Sequence, residues 1–172
     1  MKKYLIFLGL LFLGIFSGCE KDDICAESTP TTPRLVINFF DQTNSSVAKN
    51  LTNFSAREIS EENRLVFNSE GEGEARFLTN ANSIALPLRL DSDVTTYILT
   101  NFNGSAQQNT DTLTIDYSRM QIYVSRACGY KMNFSLTDVT RTGGTDANWI
   151  QTITNEQNTI ENEDEAHLNF YF

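Results

Sequence analysis

Residues 112–117 read Thr112-Leu113-Thr114-Ile115-Asp116-Tyr117, and the fold turns on that alternation. Successive side chains of a strand point to opposite faces, so Leu113, Ile115 and Tyr117 share one face while Thr112, Thr114 and Asp116 share the other. One face belongs to a core and the other to water. The same period of two recurs in Met132, Phe134 and Leu136 and in Leu168, Phe170 and Phe172. Leu35-Val36-Ile37-Asn38-Phe39-Phe40 is branched or aromatic almost throughout, as in a central strand, and the turn-rich stretch 41–46 stops it. Further strands are expected at 54–59, 64–67, 83–90, 95–101, 121–127, 130–139, 149–154 and 167–172. No stretch after residue 18 keeps a helical apolar stripe over three turns, so helix content should be small. Many short strands without alternating helices predict an all-β fold, an antiparallel β-sandwich, with a small closed or half-open β-barrel as the alternative. Pro87 interrupts an apolar run, which assigns its strand to an edge or a bulge because proline cannot donate to the ladder. Residues 69–74 and 102–110 are expected to be exposed loops.

The first 18 residues have the three parts of a secretory signal. Lys2 and Lys3 precede an apolar-plus-glycine run from Tyr4 to Phe16, and Ser17 and Gly18 are the small residues before Cys19. The apolar run, about 13 residues at about 1.5 Å each, is shorter than a hydrocarbon core of about 30 Å, so it reads as a segment to be removed. A small pair followed directly by cysteine resembles a lipobox, with cleavage before Cys19 and acylation of its thiol. Phe16 departs from the Leu commoner three positions before the cysteine. An ordinary signal peptide is the alternative. Two or three acyl chains, at about 0.8 kcal/mol per buried methylene, make such attachment effectively permanent. The chain therefore divides into a signal peptide at 1–18, a lipidated tether at 19–33, in which Pro30 and Pro33 suit an extended linker, and a single β domain at 34–172.

Removal of Lys2 and Lys3 with the signal leaves 11 basic and 22 acidic residues, a formal charge of −11. With no basic cluster to offset it, that balance argues against nucleic-acid binding. Glu20-Lys21-Asp22-Asp23 reads either as a solvated stalk or, by its place after the lipidated cysteine, as similar to the export signal that sends some lipoproteins to the outer face of the outer membrane. Lys21, Asp22 and Asp23 would carry that signal. With Cys19 committed to lipid, Cys25 and Cys128 are expected to pair in an oxidising compartment, the alternative being a free buried thiol at Cys128 and an exposed one at Cys25.

Catalytic and metal-binding patterns are scarce. His167, the sole histidine, falls out of phase with Leu168, Phe170 and Phe172, which predicts a solvent-facing or rim position. No metal site is expected, since one histidine and two paired cysteines cannot fill a zinc shell. Glu161, Glu163, Asp164 and Glu165, and Asp91 with Asp93, fit no calcium loop and read as solvated turns. No phosphate-binding glycine loop is present and no cofactor is expected. Trp149 suits a core position or a loop margin equally. Asp111-Thr112-Leu113 resembles a three-residue acceptor for O-linked glycan, with Thr112 as acceptor; the alternative is merely the start of a strand.

Asp23-Ile24-Cys25, Thr32-Pro33-Arg34-Leu35, Ser125-Arg126-Ala127-Cys128-Gly129-Tyr130-Lys131, Asn148-Trp149-Ile150 and the closing aromatic strand together resemble an uncharacterised family of bacterial outer-membrane lipoproteins, a domain of unknown function. The resemblance spans almost the whole mature chain and is most specific around Cys128. It implies export, lipidation, one shared fold and the pairing of Cys25 with Cys128, and transfers no catalytic or ligand residue. The expected function is a non-enzymatic surface accessory or binding domain, anchored to the membrane by lipid. An outer-membrane protein or an extracellular glycan is the expected partner. A carboxylate-based enzyme acting on extracellular glycans is the alternative, which a deep cleft with two converging acids would favour.

Overall fold

The structure, a computed structural model, describes residues 24–144 and 147–172. Among them nine strands form two sheets: β1 Leu35–Phe40, β2 Ser55–Glu58, β3 Ser83–Leu86, β4 Val94–Asn101, β5 Asn109–Ser125, β6 Gly129–Gly143, β7 Thr152–Asn155, β8 Thr159–Ile160 and β9 Leu168–Tyr171. One sheet has the order β3-β1-β9-β7 and the other β2-β4-β5-β6-β8. They pack face to face as a sandwich and do not close into a barrel. Helical structure among the described residues is a 3-10 turn at Gly73–Phe77, partly inside the loop expected at 69–74.

The alternation that opened the sequence is borne out residue by residue. Leu113, Ile115 and Tyr117 are buried between the sheets, and Thr112, Thr114 and Asp116 are not. In the other layer Leu35, Ile37, Phe39, Leu168 and Phe170 point inward. Phe39 is the hub: its ring lies within about 6 Å of Phe54, Trp149, Phe170 and Phe172, edge-on to the last two. Trp149 is a core residue, and its indole N–H donates to the carbonyl of Leu99 at 3.2 Å.

Several expectations need correction. The sandwich is not wholly antiparallel, because β1 and β9 run parallel, Ile37 facing Leu168 and Phe39 facing Phe170. Such a pair needs a long crossover, supplied here by the whole chain between them. Residues 112–117 and 121–125, read as parts of two strands, belong to one 17-residue strand, β5, while Arg126 and Ala127 lie in the turn; a bulge leaves Thr137 of β6 unpaired between Leu136 and Asp138. Residues 64–67 form no strand: Leu65 donates to the carbonyl of Ala56 and Phe67 to that of Arg76, so the segment is a loop whose apolar side chains lean on the core. Pro87 directly follows β3, which is an edge strand as expected.

Because four rings surround Phe39, its replacement by alanine opens a cavity that they cannot all collapse into. Phe39→Ala should cost about 3–5 kcal/mol in unfolding free energy, read by urea titration of Trp149 fluorescence.

Candidate functional site

Two of the sequence-predicted site residues, Cys25 and Cys128, meet at the far end of the β5–β6 hairpin. Neighbouring strand β4 stops at Val94, opposite Asp116. Beyond it β5 pairs with β6 alone, through Arg119 with Phe134, Gln121 with Met132 and Tyr123 with Tyr130. Gly129 makes the return, with a φ of 70° that any side chain would strain.

A two-stranded ribbon of this kind has little core of its own and is marginal in water. Here the tether supplies the missing contacts. Cys25 is bonded to Cys128 at the turn, with a Cα separation of 4.9 Å. The hydroxyl of Thr32 accepts the Met132 N–H at 3.0 Å on the edge of β6 that β8 leaves uncovered. Pro33 is buried. Between strap and ribbon lies a cleft of about 580 Å³, lined by Cys25, Thr29 to Thr32, Val124, Cys128, Tyr130 and Lys131. The segment read as an extended linker turns at residues 27–28, where the Thr29 N–H donates to the Ala26 carbonyl at 3.0 Å, and it is held to the domain at Cys25 and Thr32.

Arg34, where the strap enters β1, is held by Glu163. The guanidinium donates to both carboxylate oxygens at 2.6–3.1 Å, and the Arg34 N–H donates to one of them at 3.0 Å. Glu163 is thus no solvated turn residue; Arg34 holds its carboxyl below the usual range. Both partners are partly exposed, so the pair positions the loop more than it stabilises the fold, contributing about 0–1 kcal/mol. Lys131 donates to the carbonyl of Glu161 at 3.1 Å, tying the same loop to the hairpin.

His167 corrects its expected rim position, being 1% exposed. Its Nδ1 accepts the Val36 N–H at 3.0 Å, and its own N–H donates to the Val36 carbonyl at 2.9 Å. His167 lies one residue before β9 and its ring turns to the backbone of β1 at Val36, so strand phase misreports exposure there. With Nδ1 accepting, the neutral ring carries its proton on Nε2. Burial lowers the His167 pKa, opposed in part by Glu163.

At the side of the sandwich a second polar group encloses Arg89. Its N–H donates to Thr95 Oγ1 at 2.9 Å, Thr95 and Tyr117 share a 2.6 Å hydrogen bond, and the Tyr117 hydroxyl returns to the Arg89 carbonyl at 3.0 Å. The Arg89 guanidinium meets Asp91 at 2.8 Å, Ser60 at 2.7 Å and Glu58 at 3.8 Å. Asp91, one of the acids read as solvated, is held below the usual carboxylate range by Arg89; Asp93 accepts from Arg119 at 2.6 Å. Every one of these groups is engaged by a neighbour. Nothing in the sequence signalled the ring, since its members are far apart and of common types.

Thr112 lies four residues into β5, half-exposed on the outward face between Ile98 and Thr142, while the neighbouring Asp111 is buried and accepts the Ile150 N–H at 2.9 Å. Residues 1–18, Cys19, Lys21, Asp22 and Asp23 lie outside the described residues.

The fold and this junction define a class: a β-sandwich whose N-terminal strap is covalently closed onto a protruding hairpin. The chain belongs to DUF6452, a family of unknown function, which matches residues 58–172 and so includes Cys128 and the hairpin but begins downstream of Cys25. No curated protein and no solved structure matches the chain.

Two outcomes follow from the junction. Native His167 refuses a proton that the unfolded chain accepts, so stability should fall as pH drops below about 6.5, the ordinary histidine value. His167→Asn, which keeps an acceptor for Val36, should remove that loss between pH 6.5 and 5 in urea titrations, whereas His167→Ala should cost about 1–3 kcal/mol at pH 7.5 by orphaning the amide. The Cys25→Ser, Cys128→Ser double variant should be cut by protease within 26–32 while the sandwich stays intact, with lower overall stability; the chain-entropy account sets a ceiling of about 4–5 kcal/mol for a separation of 103 residues.

Proposed function

We propose that this chain is a lipid-anchored protein of the outer membrane, acylated on Cys19 with palmitate-type chains and carried to the cell surface by Lys21, Asp22 and Asp23. Its sandwich serves as a non-enzymatic accessory or binding domain. The observation that carries the reading is the Cys25 to Cys128 disulfide, a bond that persists in exported proteins and is rare where thiols are kept reduced. The signal-like N-terminus and the small pair before Cys19 agree with it. The binding class is favoured over a carboxylate enzyme by the state of the acids. Glu58 and Asp91 flank Arg89 on the rim of a cleft of about 290 Å³, and Asp91 is held ionised, opposite to what a general acid requires. An outer-membrane protein or an extracellular glycan is the partner class we propose, and Thr112 is a candidate O-glycan acceptor on the outward sheet face.

Protease shaving of intact cells, followed by non-reducing mass spectrometry, tests this reading. Release of the domain, with a cross-linked Cys25–Cys128 peptide and a residual acylated Cys19 peptide in the membrane, is the expected result. A domain protected until the outer membrane is broken would place it on the periplasmic face instead. A Cys19→Ser variant that fractionates with membranes as the parent does would sink the lipid anchor.

A further inference from the structure

The hairpin tip differs in chemistry from the rest of the molecule. The chain has 22 acids and 13 bases, yet the 21 residues between Asp116 and Asp138 include no acid and three bases, Arg119, Arg126 and Lys131. That stretch is the outer part of β5, the turn and the first part of β6. On it Tyr123 and Tyr130 face each other across the ladder, ring centroids 5.3 Å apart and edge-on, and they are 55% and 61% exposed. Ile24, beside the disulfide, is 83% exposed. Tyrosines with an apolar body and a polar tip are enriched where hydrocarbon meets water, and basic side chains favour anionic headgroups.

Its position is as restricted as its chemistry. Cys25 is six positions along the chain from Cys19, which limits their distance to about 20 Å at about 3.3–3.6 Å per residue. Cys128 lies 4.9 Å from Cys25, Cα to Cα. Resting on the lipid-anchored reading of Cys19, we propose that the β5–β6 tip, through Tyr123 and Tyr130, seats in the headgroup region of the leaflet that holds the anchor. The sandwich then stands off on the hairpin. From Arg119, which faces the buried Phe134 of β6, to Ser125 at the turn is about 20 Å at about 3.3 Å per residue.

The test uses the full lipidated protein in vesicles of phosphatidylethanolamine and phosphatidylglycerol containing a headgroup spin-labelled lipid. An environment-sensitive fluorophore is placed on Gln121→Cys, which shares a face with Tyr123, or on Ser105→Cys in the loop at the opposite end of β5. We expect the residue 121 probe to be blue-shifted and quenched at least twofold, the residue 105 probe to be unaffected, and Tyr123→Ser with Tyr130→Ser to reverse the effect. Equal, weak quenching at 121 and 105 in protein that floats with the vesicles overturns the proposal and leaves the anchor standing. Quenching that survives loss of both tyrosines overturns the role given to them. Protein that does not float overturns the anchored reading and the proposal together.

Discussion

Strand β5 is 17 residues long and its neighbour β4 is eight. That mismatch governs the molecule. Where β4 and β5 run side by side, Leu113 and Ile115 are fully buried against the opposite sheet and the hydrophobic effect holds the ladder. Past Asp116 β5 keeps only β6 as a partner and past Tyr117 buries none of its side chains, although β6 still pairs with β8 and buries Phe134 and Leu136. The bulge at Thr137 falls close to this boundary. An extra residue there raises the local twist and re-aims the strand pair, as expected where packing constraints change.

Beyond the core, order has to come from elsewhere, and the strap is the source. A disulfide and one hydroxyl-to-amide hydrogen bond fix the strap at the turn and at Met132, while Arg34 and His167 fix it at the root of β1. The disulfide closes a long loop and acts mainly on the unfolded chain, whereas the polar contacts act on the native strap. The His167 contact is the most consequential of them, because removal of the imidazole would leave the buried Val36 amide without an acceptor, and the parallel seam between β1 and β9 begins one residue later.

Much of this was legible in order of periodicity. The alternation at 112–117, 132–136 and 168–172 identified the inner face correctly, since a strand with one wet side leaves that signature directly in sequence. Periodicity failed where the premise of one wet side failed. His167 is out of phase with the core and buried all the same, because it lies one residue before β9 and its ring turns to the Val36 amide of β1. Residues 118–120 fall between the two expected strands because that part of β5 buries no side chain and shows no apolar alternation. The parallel pairing of β1 with β9 and the Arg34–Glu163 clasp join residues more than 120 positions apart, and no local pattern reports such contacts. The Cys25–Cys128 pairing was accessible for a different reason: with Cys19 assigned to lipid, two cysteines admit one intramolecular bond.

On the lipid-anchored reading, the acid-free hairpin also resolves an electrostatic conflict. A mature chain of formal charge −11, tethered within six residues of its strap to a surface that carries negative charge, would be repelled if its acidic faces lay on the headgroups. A flexible stalk lessens that repulsion only on average and leaves the domain free to collide with the surface. A stapled ribbon would keep the core of the sandwich about 20 Å away, more than two Debye lengths at about 0.15 M salt, where the repulsion is largely screened. The tip set on the headgroups then carries bases and tyrosines without acids of its own, while Glu20, Asp22 and Asp23 of the tether lie between Cys19 and the strap and Lys131 holds the acidic loop at Glu161 to the side of the hairpin. On this reading, the length by which β5 outruns β4 is what would let the acidic domain stand near a membrane.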